Sequence, residues 1–166
     1  LLATLPHRTI GALSRRAKHA VFDLGDRRLV VQPGMTGSLL TYDRPLTPAE
    51  RRYAVLQLAL DDGRLLVYRD VRRLGTLLLL DARRWSAYDA ALGHEPLSDA
   101  FTADALHRTL QGSRAAIKKV LMDQRHVVGV GNIYANEALF AARIDPSRPA
   151  HRLSLDDATR LHTEVR

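Results

Sequence analysis

Lys118, Gly129, Gly131 and Asn132 fall at a spacing that suits the binding of an anion. Ile117, Val120 and Leu121 recur at helical spacing, and so do Ala135, Ala138, Leu139 and Ala142. The stretch therefore reads as two helices joined by a glycine-punctuated turn. Glycine accepts backbone angles and close approaches that a side chain forbids, and Asn132 falls where a helix N-cap belongs. A helix N-terminus offers open N–H donors and the positive end of its dipole, both suited to a phosphate oxygen. Lys118 would add a point charge, and Arg114, in the basic segment ahead of the first helix, is a further candidate phosphate contact. The same pattern also fits an ordinary helical hairpin whose glycines only turn the chain.

A second cluster lies in the first half. Met35 stands between Gly34 and Gly37 where two strands turn. A methionine exposed there is a flexible apolar wedge able to enter a base stack, and a core methionine beside a bulged turn is the alternative. Arg69, Arg72 and Arg73 crowd a later loop, a pattern that on charge alone describes a solvated face. The histidines form no metal set: there is no His-Glu-x-x-His pair, no Ser-His-Asp arrangement and no phosphate-binding lysine loop.

The bulk numbers narrow the class. At 166 residues and 46% hydrophobic content the chain suffices for one mid-sized or two small packed domains. Its formal charge of +7 favours a polyanionic partner, because lysine and arginine displace counterions from phosphates. Without cysteine there are no disulfides and no cysteine-ligated zinc within this chain. No apolar run approaches the roughly 18 residues that span a bilayer, and no signal peptide is evident. A soluble cytoplasmic protein is expected, without a membrane partner.

The elements that must position these residues change character along the chain. Residues 7–80 read as strands, with tight turns at Gly25-Asp26 and at Asp61-Asp62-Gly63. Residues 41–52 read as a connecting loop, and the apolar run 75–80 as a strand in a sheet interior. Near Trp85 the pattern turns helical: Thr102 caps a helix closed by Gly112, and Ser154 with Asp157 resembles a capping box. The expected fold class is α+β: an antiparallel two-sheet β-sandwich over 1–84, a linker over 85–101, and a helical domain over 102–166.

The run 117–146, centred on Gly129-Val130-Gly131-Asn132-Ile133-Tyr134-Ala135, closely resembles the helix-two-turns-helix segment of bacterial formamidopyrimidine-DNA glycosylases. These base-excision repair enzymes remove oxidised purines from DNA. The related endonuclease VIII branch reads less well against Asn-Ile-Tyr-Ala. Leu92-Gly93-His94-Glu95-Pro96-Leu97 is similar to the family's Leu-Gly-x-Glu-Pro-Leu joint, Met35-Thr36-Gly37 to its methionine loop, and Asp70-Val71-Arg72-Arg73-Leu74-Gly75 to its Asp-Pro-Arg-Arg-Phe-Gly loop. The resemblance implies that Met35 fills the gap left by an extruded base and that Arg72, flanked by Arg73 and Leu74, addresses the orphaned partner. It implies that Lys118, Gly131 and Asn132 hold phosphate, that Tyr134 lies near the lesion-side backbone, and that Lys18 assists an elimination step. The implied partner is double-stranded DNA carrying an oxidised purine or abasic site, bound by a monomer associated with the bacterial nucleoid.

The sequence departs from the family pattern at Gln32-Pro33, Tyr53, Val71 and Leu74, where His-Leu, histidine, proline and an aromatic are usual. In the family an N-terminal proline amine attacks C1′, and a C-terminal four-cysteine finger holds zinc. The chain starts at Leu1 and has no cysteine, so it reads as an internal segment that needs no cofactor of its own. The expected function is the damaged-DNA-binding part of a glycosylase with abasic-site lyase activity, inactive by itself. A catalytically silent truncated paralogue is the alternative, and a ribosomal RNA-binding protein with the same helical motif a remote one.

Overall fold

In a computed structural model, residues 5–166 are described, and the chain divides into two compact units, Leu1–Trp85 and Ser86–Arg166. The first holds two antiparallel sheets. One has the order β1 (Leu13–Arg16), β2 (His19–Asp23), β3 (Arg27–Gln32) and β7 (Thr76–Asp81). The other places β6 (Leu65–Asp70) between β4 (Gly37–Tyr42) and β5 (Ala54–Ala59). Alternate residues of each sheet point into a shared core: Phe22, Leu29 and Val31 from one, Leu56 and Tyr68 from the other. The sandwich expected from the strand pattern is therefore present, and both expected turns join paired strands.

Two expectations for this unit need correction. The 41–52 segment is not only loop: β4 runs to Tyr42, and a short helix α1 occupies Pro48–Arg52. Thr47 accepts from the Glu50 amide, the Glu50 carboxylate returns to the Thr47 amide at 2.8 Å, and Pro48 presets the first turn. The apolar run 75–80 is not interior either. Among the described residues, strand β7 pairs with β3 and with no other strand, at the border of its sheet, and it is half-buried along most of its length. Its continuous leucines serve both faces, with only Leu77 and Leu79 turned to the core.

Helix α2 (Ala82–Ala90) then runs where the sequence suggests that a linker begins. Asp81 starts it by accepting from the Arg84 amide at 2.8 Å.

The second unit is helical: α3 (Ala103–Gln111), α4 (Ile117–Met122), α5 (Asn132–Ala141), a short 3-10 turn (Ala150–Arg152) and α6 (Leu155–Val165). Thr102 caps α3 and Gly112 ends it, while Ser154 and Asp157 form the capping box of α6. Their apolar faces meet around Leu106, Leu110, Ile117, Leu121, Leu139 and Leu161, a contiguous buried core. Arg148 and Arg160 both pair with the largely buried Asp157 at the start of α6. Among the described residues no helix is long and apolar enough to cross a membrane.

Candidate nucleic-acid interface

In the first unit, folding brings two loops together at one end of β6. Gly37, first residue of β4, pairs with Asp70, the last of β6, so the 33–37 turn and the 71–75 turn emerge side by side. Gly34 has φ +63, and a Cβ on it would stand 3.1 Å from the backbone of Leu74 and Gly75. A Cβ on Gly75 would overlap the Tyr68 hydroxyl at 1.8 Å. Only glycine lets these backbones close to such distances.

The side chains carried on this scaffold face outward. Met35 is 77% exposed and Leu74 52%, and the Arg72 guanidinium reaches the Met35 sulfur at 3.7 Å. Arg73 is exposed and held at φ +52, a left-handed conformation unfavourable for a side-chain-bearing residue. Underneath lies Asp70, only 1% exposed. Its carboxylate accepts from the Thr36 hydroxyl at 2.6 Å, the Gly75 amide at 2.8 Å, the Arg72 amide at 3.2 Å and the Tyr68 hydroxyl at 3.2 Å. Led by Thr36 and Gly75, these donors hold the Asp70 carboxyl down at about 2. Burial, with the Asp70 charge beside it, pushes the Tyr68 phenol up to about 12.

Lys18 sits in the two-residue turn between β1 and β2, after Ala17, whose φ is +53. Most of the lysine is exposed, yet the part that packs down lowers its ammonium pKa by desolvation.

In the second unit, Gln124 builds the turn that α5 starts from. Its amide nitrogen donates to the carbonyls of Met122 and Val130, each at 2.9 Å, and its amide oxygen accepts from the Gly129 amide at 2.9 Å. Gly129 takes φ +82 there. The expected N-cap role of Asn132 is not what forms. Gly131 occupies the cap position in extended conformation without a side-chain cap bond, and Asn132 is the first helical residue. Since the Gly131 carbonyl already accepts from Ala135, the amides of residues 132–134 are the open donors of this helix. The exposed Asn132 side chain adds to them, and Ile133 and Tyr134 stand beside it, also exposed. Lys118 is half-buried in the first turn of α4, and Arg114 is exposed just ahead of that helix.

The Leu92-Gly93-His94 stretch is not a slack joint. His94 bridges in parallel to Val127, donating to the His126 carbonyl and accepting from the Val128 amide, each at 3.0 Å. It forms a backing for the turn on which α5 begins. The residue types of Asp70, Thr36, Gln124 and Gly93 do not announce these roles; the sequence signal each carries is its place inside a motif.

The formamidopyrimidine-DNA glycosylase N-terminal domain matches residues 1–77, and the formamidopyrimidine-DNA glycosylase H2TH domain matches residues 92–166. The chain belongs to the formamidopyrimidine-DNA glycosylase family. It is 43% identical over 166 residues to the formamidopyrimidine-DNA glycosylase of Roseiflexus sp. (strain RS-1), covering 99% of this chain and 60% of that protein. Against the enzyme of the same name from Xanthomonas axonopodis pv. citri (strain 306) it is 45% identical over 163 residues, covering 98% and 59%. The crystal structure of MutM (Fpg) from Thermus thermophilus superposes with a TM-score of 0.82 at 40% identity, covering 95% of this chain and 57% of that one. Lactococcus lactis Fpg, noncovalently bound to DNA containing an abasic site, gives 0.87 at 31%, covering 98% and 63%. This family member thus spans about three fifths of the length of such relatives. The sequence contains no cysteine, and among the described residues no group of three or more His, Asp or Glu side chains is placed to hold a metal ion.

Proposed function

We propose that this chain is the DNA-gripping and base-displacing part of a base-excision repair glycosylase for formamidopyrimidine and 8-oxoguanine lesions, with abasic-site lyase activity in the whole protein. The open amides of residues 132–134, with Asn132, Gly131, Lys118 and Arg114, hold the sugar-phosphate strand. Met35 and Leu74 enter the space vacated by the extruded nucleotide, and Arg72 donates to the unpaired partner base while Arg73 adds charge beside it. Tyr134 lies along the lesion-side backbone, and Lys18 assists elimination. The observation that carries this reading is Met35: a large apolar side chain held 77% exposed on a loop tied to a buried carboxylate, with an arginine at its sulfur. Val71 and Leu74 are exposed on the adjoining loop, and grouped apolar exposure of this kind suits an interaction site.

The partner is duplex DNA with an oxidised purine or abasic site, read by one chain per lesion on the bacterial nucleoid in the cytoplasm. The Lactococcus lactis neighbours, bound to abasic-site DNA and to DNA containing Fapy-dG, support that assignment. A second reading, a silent binder of damaged DNA, is favoured by Leu74 and Val71, which do not supply the stacking surface of an aromatic.

Fluorescence anisotropy with matched abasic and intact duplexes tests the proposal. The 166-residue chain should bind the abasic duplex more tightly, and both affinities should fall steeply as salt rises. Equal or salt-insensitive binding to the two duplexes overturns the assignment.

A further inference from the structure

We propose that Asp70 is a positioning residue that fuses the Met35 loop and the Arg72 loop into one rigid plug. The inference rests on the function proposed above, since a plug has meaning only where a base has left the stack.

The connections are specific. Thr36 immediately precedes β4 and Asp70 ends β6, 34 residues apart, and the Thr36 hydroxyl donates to one carboxylate oxygen at 2.6 Å. The same hydroxyl accepts from the Arg72 amide at 3.1 Å, and that amide also reaches the same carboxylate oxygen at 3.2 Å. Thr36, Arg72 and Asp70 therefore close a triangle between the two loops. The other carboxylate oxygen takes the Gly75 amide at 2.8 Å and the Tyr68 hydroxyl at 3.2 Å, pinning the far end of the second loop to the core. An apolar side chain could fill this volume, and buried ionic groups are often replaceable by apolar ones of similar size. It could not fix two backbone turns at hydrogen-bond distance. The arrangement keeps Met35, Val71 and Leu74 exposed in one orientation before DNA arrives, so less ordering remains to be done on binding.

Thr36→Val removes the hydroxyl at nearly constant shape, Thr36→Ser restores it, and Asp70→Asn removes the charge. Each 166-residue variant is assayed for the ratio of abasic to intact duplex affinity, for melting temperature, and for hydrogen exchange at the Arg72 and Gly75 amides. Thr36→Val is expected to lower the abasic preference about tenfold while leaving intact-duplex affinity in place, the size expected for one hydrogen bond to a charged group. The Arg72 amide should exchange faster in that variant, and Thr36→Ser should recover both properties. Met35→Ala should then change the preference less in the Thr36→Val background than alone, because the two substitutions disable the same plug. A Thr36→Val chain that keeps the wild-type preference, or that loses both affinities in parallel with its melting temperature, overturns this inference alone. A wild-type chain without abasic preference overturns the proposed function and this inference together.

Discussion

Gly93 lies directly against the peptide that carries the His126 carbonyl. Its own amide donates to the Gln124 carbonyl at 2.9 Å, and a Cβ placed on it would stand 2.2 Å from the His126 oxygen. Neither backbone can retreat without breaking the bridge between His94 and Val127. Gly93→Ala is therefore expected to destabilise the helical unit by about 2–4 kcal/mol, as overpacking against backbone does. Urea denaturation followed by circular dichroism measures this. A Gly93→Ala chain as stable as the wild type would show that the crossing yields.

That crossing also marks the limit of what the sequence disclosed. The Leu-Gly-x-Glu-Pro-Leu motif was legible as a string, and its physical purpose was not, because the backbone that excludes a Cβ from Gly93 lies far along the chain, at His126. The same holds for Asp70, which as a sequence letter is one more acidic residue in a basic loop. Local signals fared better: Thr102, Ser154 and the Asp62-Gly63 turn act on neighbours a few residues away, and each does what its type predicts. Asn132 shows where a local signal slips. Gly131 in extended conformation serves as the cap, displacing the asparagine by one residue into the helix. The Thr47-Pro48-x-Glu50 start of α1 was readable from its residues, but the surrounding prolines and charges gave it the look of a loop.

Gln124 supplies a second prediction. Its side chain satisfies two carbonyls and one amide that shape the turn leading into α5. Truncation leaves the Gly129 amide and the Val130 carbonyl without that partner, a loss of about 1–3 kcal/mol. Gln124→Ala should lower affinity for abasic and intact duplexes by the same factor, since under the proposed function the turn grips backbone and not lesion. Titration of both duplexes checks it. A selective loss on the abasic duplex would place Gln124 with the wrong function.

The pH dependence of stability follows from the Asp70 and Tyr68 pair. Asp70 titrates at about 2 in the folded chain against an ordinary 3.8, so its contribution is present above the ordinary value and is lost as pH falls through about 2. Asp123, held by Arg125, is also lowered to about 2 and acts in the same direction. Tyr68 titrates at about 12 against 10.0, so its contribution is intact below pH 10 and is lost as pH rises through about 12. Denaturant midpoints measured across pH should thus fall at both extremes, and the Thr36→Val substitution should weaken the acid-side dependence. Tyrosinate absorbance in which every tyrosine titrates near 10 would contradict the alkaline half.

Under the proposed function the two units divide the labour: the turn before α5 grips any duplex, and the Met35 loop recognises the gap left by a displaced base. Asn132→Ala and Met35→Ala, each titrated against matched abasic and intact duplexes, separate the two roles. Asn132→Ala should weaken both complexes alike, by about tenfold for a lost phosphate contact, whereas Met35→Ala should leave the intact-duplex affinity in place and reduce the preference for the abasic one. If Asn132→Ala instead erased the preference, and Met35→Ala weakened both complexes equally, the division of labour would be contradicted.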